Sequence, residues 1–116
     1  MAPSKNPTVR LRHILDEAAG IQAATEGIGF ETFQDTWTIH RAVEHGLLII
    51  AEASKSLPSE LKAKQPTIPW ARIEALGNVL RHDYQDIDPK ALWRIVHEQL
   101  PILADAIRQE FGENDR

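Results

Sequence analysis

Apolar residues return every three or four positions along almost the whole chain, and nowhere do they alternate in twos. That property restricts the fold, because a face repeating near 3.6 residues is buried by a helix, whereas a half-buried strand needs period two. From about Pro7 to Thr25, Leu11, Ile14, Leu15, Ala18 and Ile21 form one stripe. A second stripe, from about Asp35 to Ser56, carries Ile39, Ala42, Val43, Gly46, Leu47, Ile50 and Ala53 and continues to Leu57. Leu48 and Ile49 widen it enough to suggest burial on two sides. Trp70, Ile73, Leu76 and Leu80 mark a third stripe, and Leu92, Ile95, Val96, Leu100, Leu103, Ile107 and Phe111 a fourth.

Glycine and proline punctuate these stripes. Glu26-Gly27-Ile28-Gly29 ends the first helix, and Gly27 or Gly29 offers a left-handed cap. Phe30 to Phe33 reads as a short apolar bridge packed as a turn. Pro58-Ser59-Glu60-Leu61 opens a brief helix, and a turn follows at Gln65-Pro66-Thr67. Thr67-Ile68-Pro69-Trp70 enters the third long helix, which should end near His82 or Asp83. Asp88-Pro89 pairs a carboxylate cap with proline at the first helical position. Pro101 falls inside the last stripe, which continues in phase beyond it, so it should kink that helix rather than end it. The prediction is all-α: an up-and-down four-helix bundle with one or two additional short helices. It forms a single domain over residues 1–116, with about 1–6 and 112–116 as flexible tails.

Composition narrows the function. With no cysteine, disulfides, thiolate catalysis and Cys-based zinc sites are excluded. No run approaches the roughly 18–20 apolar residues of a membrane span, and the N-terminus lacks a secretory apolar stretch, so the expected location is the cytoplasm. A formal net charge of −4 argues against a general nucleic-acid coat. Between Lys62 and Arg81, however, the charges are Lys62, Lys64, Arg72, Glu74 and Arg81, a locally positive segment that can be a solvated mixed face or a binding surface. Gly-rich phosphate loops, Gly-x-Ser-x-Gly elbows and His-Glu-x-x-His helices are absent. His40, His45 and His97 read as surface or packing histidines, and no metal or other cofactor is expected. Trp37, Trp70 and Trp93 read as core or interface anchors. The second apolar side of the 35–56 helix suggests a homodimer, or else cover by the short helices.

One stretch concentrates chemistry: Gly77-Asn78-Val79-Leu80-Arg81-His82-Asp83-Tyr84. Asn78 and His82 are one helical turn apart and share a face. Histidine is the side chain that serves as acid and base near neutrality, and a neighbouring cation suits a phosphodiester by stabilising charge on the phosphoryl group. The same residues could equally finish a polar helix end.

These residues, with others along the chain, resemble the HepT-like family of the HEPN superfamily, small helical toxin ribonucleases. The landmarks are Arg10-Leu11-Arg12-His13-Ile14-Leu15, Phe30-Glu31-Thr32-Phe33 and Ile49-Ile50-Ala51-Glu52-Ala53. Leu57-Pro58-Ser59-Glu60-Leu61, Ile68-Pro69-Trp70, His82-Asp83-Tyr84, Ile87-Asp88, Leu92-Trp93 and Leu100-Pro101 complete the order.

The family's active motif is Arg-x-x-x-x-His-x-Tyr. His82 and Tyr84 match it, Asn78 matches the polar residue that follows the arginine, and Gly77 stands where the arginine belongs. The resemblance implies metal-independent RNA cleavage, with the imidazole assisting attack by the ribose 2′-hydroxyl and a guanidinium holding the phosphate at a homodimer cleft. On this reading His82 and Arg81 are catalytic, and Asn78 and Tyr84 bind substrate. Arg81, one turn after Gly77, would lean back to replace the missing arginine. The alternative is a catalytically impaired module that dimerises and binds a partner, nucleotide or RNA without turnover. The resemblance also implies a minimal nucleotidyltransferase (MntA-like) antitoxin as partner and AMPylation of the motif tyrosine, which by position is Tyr84.

Overall fold

The computed structural model describes residues 6–115, with the side chains of Tyr84 and of 111–115 outside the description. Seven α-helices are defined: α1 Pro7–Thr25, α2 Phe30–Asp35, α3 Trp37–Lys55, α4 Ser59–Ala63, α5 Trp70–His82, α6 Pro89–Arg94 and α7 Leu100–Asp115. Among the described residues there is no strand. The fold is all-α, as the periodicity requires.

The caps follow the local chemistry. Asn6, inside the stretch expected as a tail, caps α1: its side chain accepts from the Thr8 N–H at 2.9 Å, and Pro7 opens the helix. Gly27 takes φ +77° just after α1, a conformation that costs glycine little. Asp88 caps α6 by accepting from the Lys90 N–H at 3.0 Å.

Residues 30–33 depart from expectation. They open the short helix α2 rather than forming a turn. Phe30 and Phe33 stand one turn apart, and both rings pack on Trp93, at 6.1 and 5.2 Å between centroids. Phe33 is fully buried. Six residues are too few to show a periodic stripe, so this helix depends on tertiary packing.

α3 is the central element. It packs against α1 on one side and α5 on the other, and α7 lies against α1. Leu11, Ile14, Val43, Leu47, Ile50, Leu80, Leu92, Leu103 and Ile107 belong to one continuous core. Ala42, expected in the α3 stripe, lies on the exposed side, and Leu48 and Ile49 are half-buried. Trp37 is not a core anchor: it is 70% exposed, with the Arg41 guanidinium 5.9 Å from its ring centre. Between α5 and α7 a cavity of about 250 Å³ is lined by Leu47, Ile50, Ile73, Leu76, Leu100 and Leu103, among others.

Pro101 does not end the last helix. A π-turn, Ile95–Gln99, joins α6 to α7, and the Leu100 N–H donates to the Ile95 carbonyl. Proline has no N–H for the carbonyl four residues back, and its ring would crowd that carbonyl. The wider turn just before it absorbs both problems and keeps Leu100, Leu103 and Ile107 in the core. No helix among the described residues is long and apolar enough to cross a membrane.

Candidate functional site

The site is built on the last turns of α5. That helix starts after buried Ile68, with Pro69 at its cap position. The Trp70 indole Nε1–H donates to the carbonyls of Lys62 (3.0 Å) and Gln65 (3.2 Å), tying the start of α5 to α4. Lys62 also pairs with Glu74 at 2.9 Å, so part of the positive segment is internally neutralised.

Gly77 is buried at the crossing of α5 and α3. A Cβ placed on it would lie 2.6 Å from the Cβ of Ala51, well inside normal contact. The absent side chain at 77 is therefore a packing requirement: the two helices approach at a glycine facing an alanine. The volume that an arginine stem would enter is filled by α3.

Arg81 starts on the same row of α5, one turn later. Its side chain leans back, as helical geometry dictates. Nη1–H donates to the Asn78 Oδ1 at 3.4 Å, and Nη2–H donates to the Glu52 carboxylate across the helix interface. Glu52 is the residue after Ala51, so the guanidinium returns to the level of Gly77 but lies over the flank of α3. The expected backward reach occurs, and Ala51 keeps it out of the space beside Gly77.

Asn78 and His82 are both exposed, one turn apart. Val79, between them in sequence, is 38% exposed, and Ala71 and Ala75 continue an exposed small-residue row on this helix. His82 makes no hydrogen bond or ion pair with another described side chain, which leaves its imidazole open to a ligand. Arg81 and His82 also place basic groups in the last turn of α5, where cations meet the negative end of the helix dipole.

The helix stops at Asp83, whose N–H donates to the Val79 carbonyl at 2.7 Å. Tyr84, Gln85 and Asp86 form a 3₁₀ turn leading to α6. Of the expected site residues, Arg81 and Asn78 are in contact and His82 is exposed on the same end of α5; the Tyr84 side chain lies outside the described residues.

Two of the remaining histidines make packing contacts, and His13 and His45 are exposed. The His97 Nδ1–H donates to the Trp93 carbonyl at 2.9 Å, and its ring lies 4.1 Å from that of Trp93. His40 packs edge-on against Phe33 and stands 3.6 Å from Glu44. Among the described residues no three His, Asp or Glu side chains converge as a metal site would require. Glu52 is the site residue that sequence reasoning missed, because only tertiary packing brings it to Arg81 from 29 positions away.

The fold and the last turns of α5 define an all-helical protein that presents a guanidinium, an amide and an exposed imidazole at one helix end. The comparisons with known proteins narrow this class. The "Ribonuclease HepT-like" family model matches residues 14–110, and the chain belongs to that family. A candidate RNase of Caldanaerobacter subterraneus subsp. tengcongensis is 31% identical over 105 residues, covering 90% of this chain and 94% of the relative. A probable ribonuclease HepT of Thermococcus cleftensis is 36% identical over 93 residues, covering 80% of this chain and 84% of the relative. No solved structure matches significantly.

Proposed function

We propose that this protein is a cytoplasmic RNA endonuclease that cuts without metal, working as the toxin of a toxin–antitoxin pair. The observation that carries this reading is the arrangement at the end of α5. Arg81 is held beside Asn78 and Glu52, and the next residue is His82, exposed and without a partner among the described residues.

In the reaction, His82 takes the proton of a ribose 2′-hydroxyl as that oxygen attacks the adjacent phosphorus. The O2′–P bond forms and the P–O5′ bond breaks. The products are a 2′,3′-cyclic phosphate and a 5′-hydroxyl. The departing 5′ oxygen takes a proton from the imidazole that a second copy brings to the same cleft. Arg81 stabilises charge on the non-bridging oxygens, the role that a motif arginine at 77 would have filled. Asn78 and Tyr84 are assigned to substrate binding. The homodimer is supported by apolar surface around His82 and along α3, namely exposed Val79 and Trp37 and half-buried Leu48. The partner is a minimal nucleotidyltransferase antitoxin, and adding AMP to Tyr84 would place a phosphate where RNA must sit, silencing the site by charge and bulk.

The test is cleavage of end-labelled RNA by partner-free protein in the presence of a chelator. The expected result is fragments ending in 2′,3′-cyclic phosphate. His82→Ala should lower the rate by about 10²-fold or more, in line with loss of a general acid–base group. Arg81→Gln should lower it by about 10²-fold to 10³-fold, in line with loss of one charge-stabilising contact. A folded wild-type protein that binds RNA and never cuts it would replace this reading with a binding module. The observation favouring that alternative is the carboxylate already seated on Arg81.

A further inference from the structure

Among the described residues the basic side chains in the last turn of α5 are Arg81 and His82, and the Arg81 guanidinium already has an anionic partner. The Glu52 carboxylate occupies Nη2, and the Asn78 amide oxygen sits on Nη1. This register is set by the backbone: Gly77 seats on Ala51, which delivers the next residue of α3, Glu52, to the arginine that leans back from position 81. The pair is also open to water, with Arg81 35% and Glu52 50% exposed.

We propose that Glu52 is the exchangeable counter-ion of the anion site: it positions Arg81 in the free protein and gives way to a backbone phosphate of RNA when substrate binds. The proposal rests on the nuclease reading for the identity of the anion, and deepens it by naming what RNA must displace. Three features support it. Ion pairs with this much exposure contribute little to stability, so trading the partner costs little. A phosphodiester presents two non-bridging oxygens to a guanidinium fork, the same geometry that a carboxylate offers, so the sites compete for the same donors. Asn78 carries no charge and keeps its contact through the exchange, holding the guanidinium against its own helix.

Glu52 therefore acts on binding through Arg81 and does not touch the reacting atoms. While it remains near a bound phosphate, like-charge repulsion weakens RNA binding, and the carboxylate filters out anions too weak to displace it. Removing its charge should tighten binding, and only when Arg81 is present.

The experiment uses a short fluorescent oligoribonucleotide with 2′-O-methyl riboses, which cannot supply the attacking hydroxyl, and reads affinity by anisotropy at about 0.15 M ionic strength, where the Debye length is about 8 Å. Glu52→Gln should bind about threefold to tenfold more tightly than wild type, the range expected for a unit charge removed a few ångströms from a phosphate in a solvent-exposed site. Glu98→Gln, an equal change in net charge on the π-turn, should gain less than about twofold because screening is strong beyond a Debye length. In an Arg81→Gln background, Glu52→Gln should also gain less than about twofold, since the exchange has no arginine to act on. Unchanged or weaker binding by Glu52→Gln overturns the proposal, as does the same gain in both backgrounds or an equal gain from Glu98→Gln. Absence of binding by both wild type and Glu52→Gln overturns it too. Cleavage of unmodified RNA is scored separately: no cleavage with this binding pattern intact removes the nuclease reading alone.

Discussion

The contact between Gly77 and Ala51 makes a quantitative demand on stability. A methyl group added at 77 would sit 2.6 Å from the Ala51 Cβ. Carbon atoms in contact prefer about 3.5–4.0 Å, so α5 and α3 would have to separate by about 1 Å along their crossing. Ala51 has no flexible end that can swing aside. Overpacking of this kind costs about 1–3 kcal/mol. Against it stands the helix preference of alanine over glycine, worth up to about 1 kcal/mol. Gly77→Ala should therefore destabilise by about 1 kcal/mol net, although mid-helix glycine to alanine normally stabilises.

The decisive measurement is the double-mutant cycle. Ala51→Gly alone should cost about 1 kcal/mol, because it puts a glycine into α3 without relieving any clash. In the double variant the methyl has moved from α3 to α5 and the close approach survives. It should lie within about 0.5 kcal/mol of wild type, which gives a coupling of about −2 kcal/mol against the additive sum. Urea unfolding followed by helical circular dichroism gives all four stabilities, at one protomer concentration because association would shift them. Additive effects, with the double variant about 2 kcal/mol below wild type, would refute the claim that the glycine serves the helix crossing.

Other substitutions probe the supports of the same core. Ser54 is fully buried with no hydrogen-bond partner on its Oγ among the described residues, so Ser54→Ala should gain about 1 kcal/mol, seen as a midpoint rise of about 3–6 °C. Asp88→Ala removes the side-chain cap of α6 and should cost about 1 kcal/mol in the same denaturation assay. Phe33→Ala empties a fully buried site beneath Trp93 and should cost about 3–5 kcal/mol, which thermal unfolding would register as loss of a cooperative transition near ambient temperature.

Which of these features the sequence exposes depends on how far apart the cooperating residues lie. The long helices are legible because each writes its buried face at a fixed period, as Leu11, Ile14, Ala18 and Ile21 do in α1. The cap at Asp88 involves a neighbour two residues away and is legible before Pro89, whereas the equally local cap at Asn6 falls in a stretch that reads as a tail. The backward lean of Arg81 follows from helix geometry, and the bond to Asn78 agrees with it. Helix α2 is not legible, since it exists by virtue of Phe30 and Phe33 meeting Trp93 about sixty positions on. Glu52 is hidden for the same reason. Nothing in the α3 pattern distinguishes it from any other polar residue on a solvated face until the crossing with α5 is known.

The crossing also changes what the missing motif arginine means. Judged from sequence, Gly77 is a gap in the motif that either is filled by Arg81 or marks lost catalysis. In the fold it is one half of a close helix contact whose other half is Ala51. With that volume filled, a cation serving this helix end has to be anchored on another turn. Side chains on a helix lean toward its N-terminus, so a long residue one turn later is the one that returns to the level of 77 and 78. Arg81 occupies that position, and its contacts with Asn78 and Glu52 mark where its charge arrives. Putting an arginine back at 77 would thus disturb the packing of α5 before it could report on catalysis. Loss of activity in such a variant would carry no information about the anion site unless Ala51→Gly restored the room. The question of whether this chain cuts RNA therefore turns on Arg81 and His82, whose side chains can be changed without moving a helix.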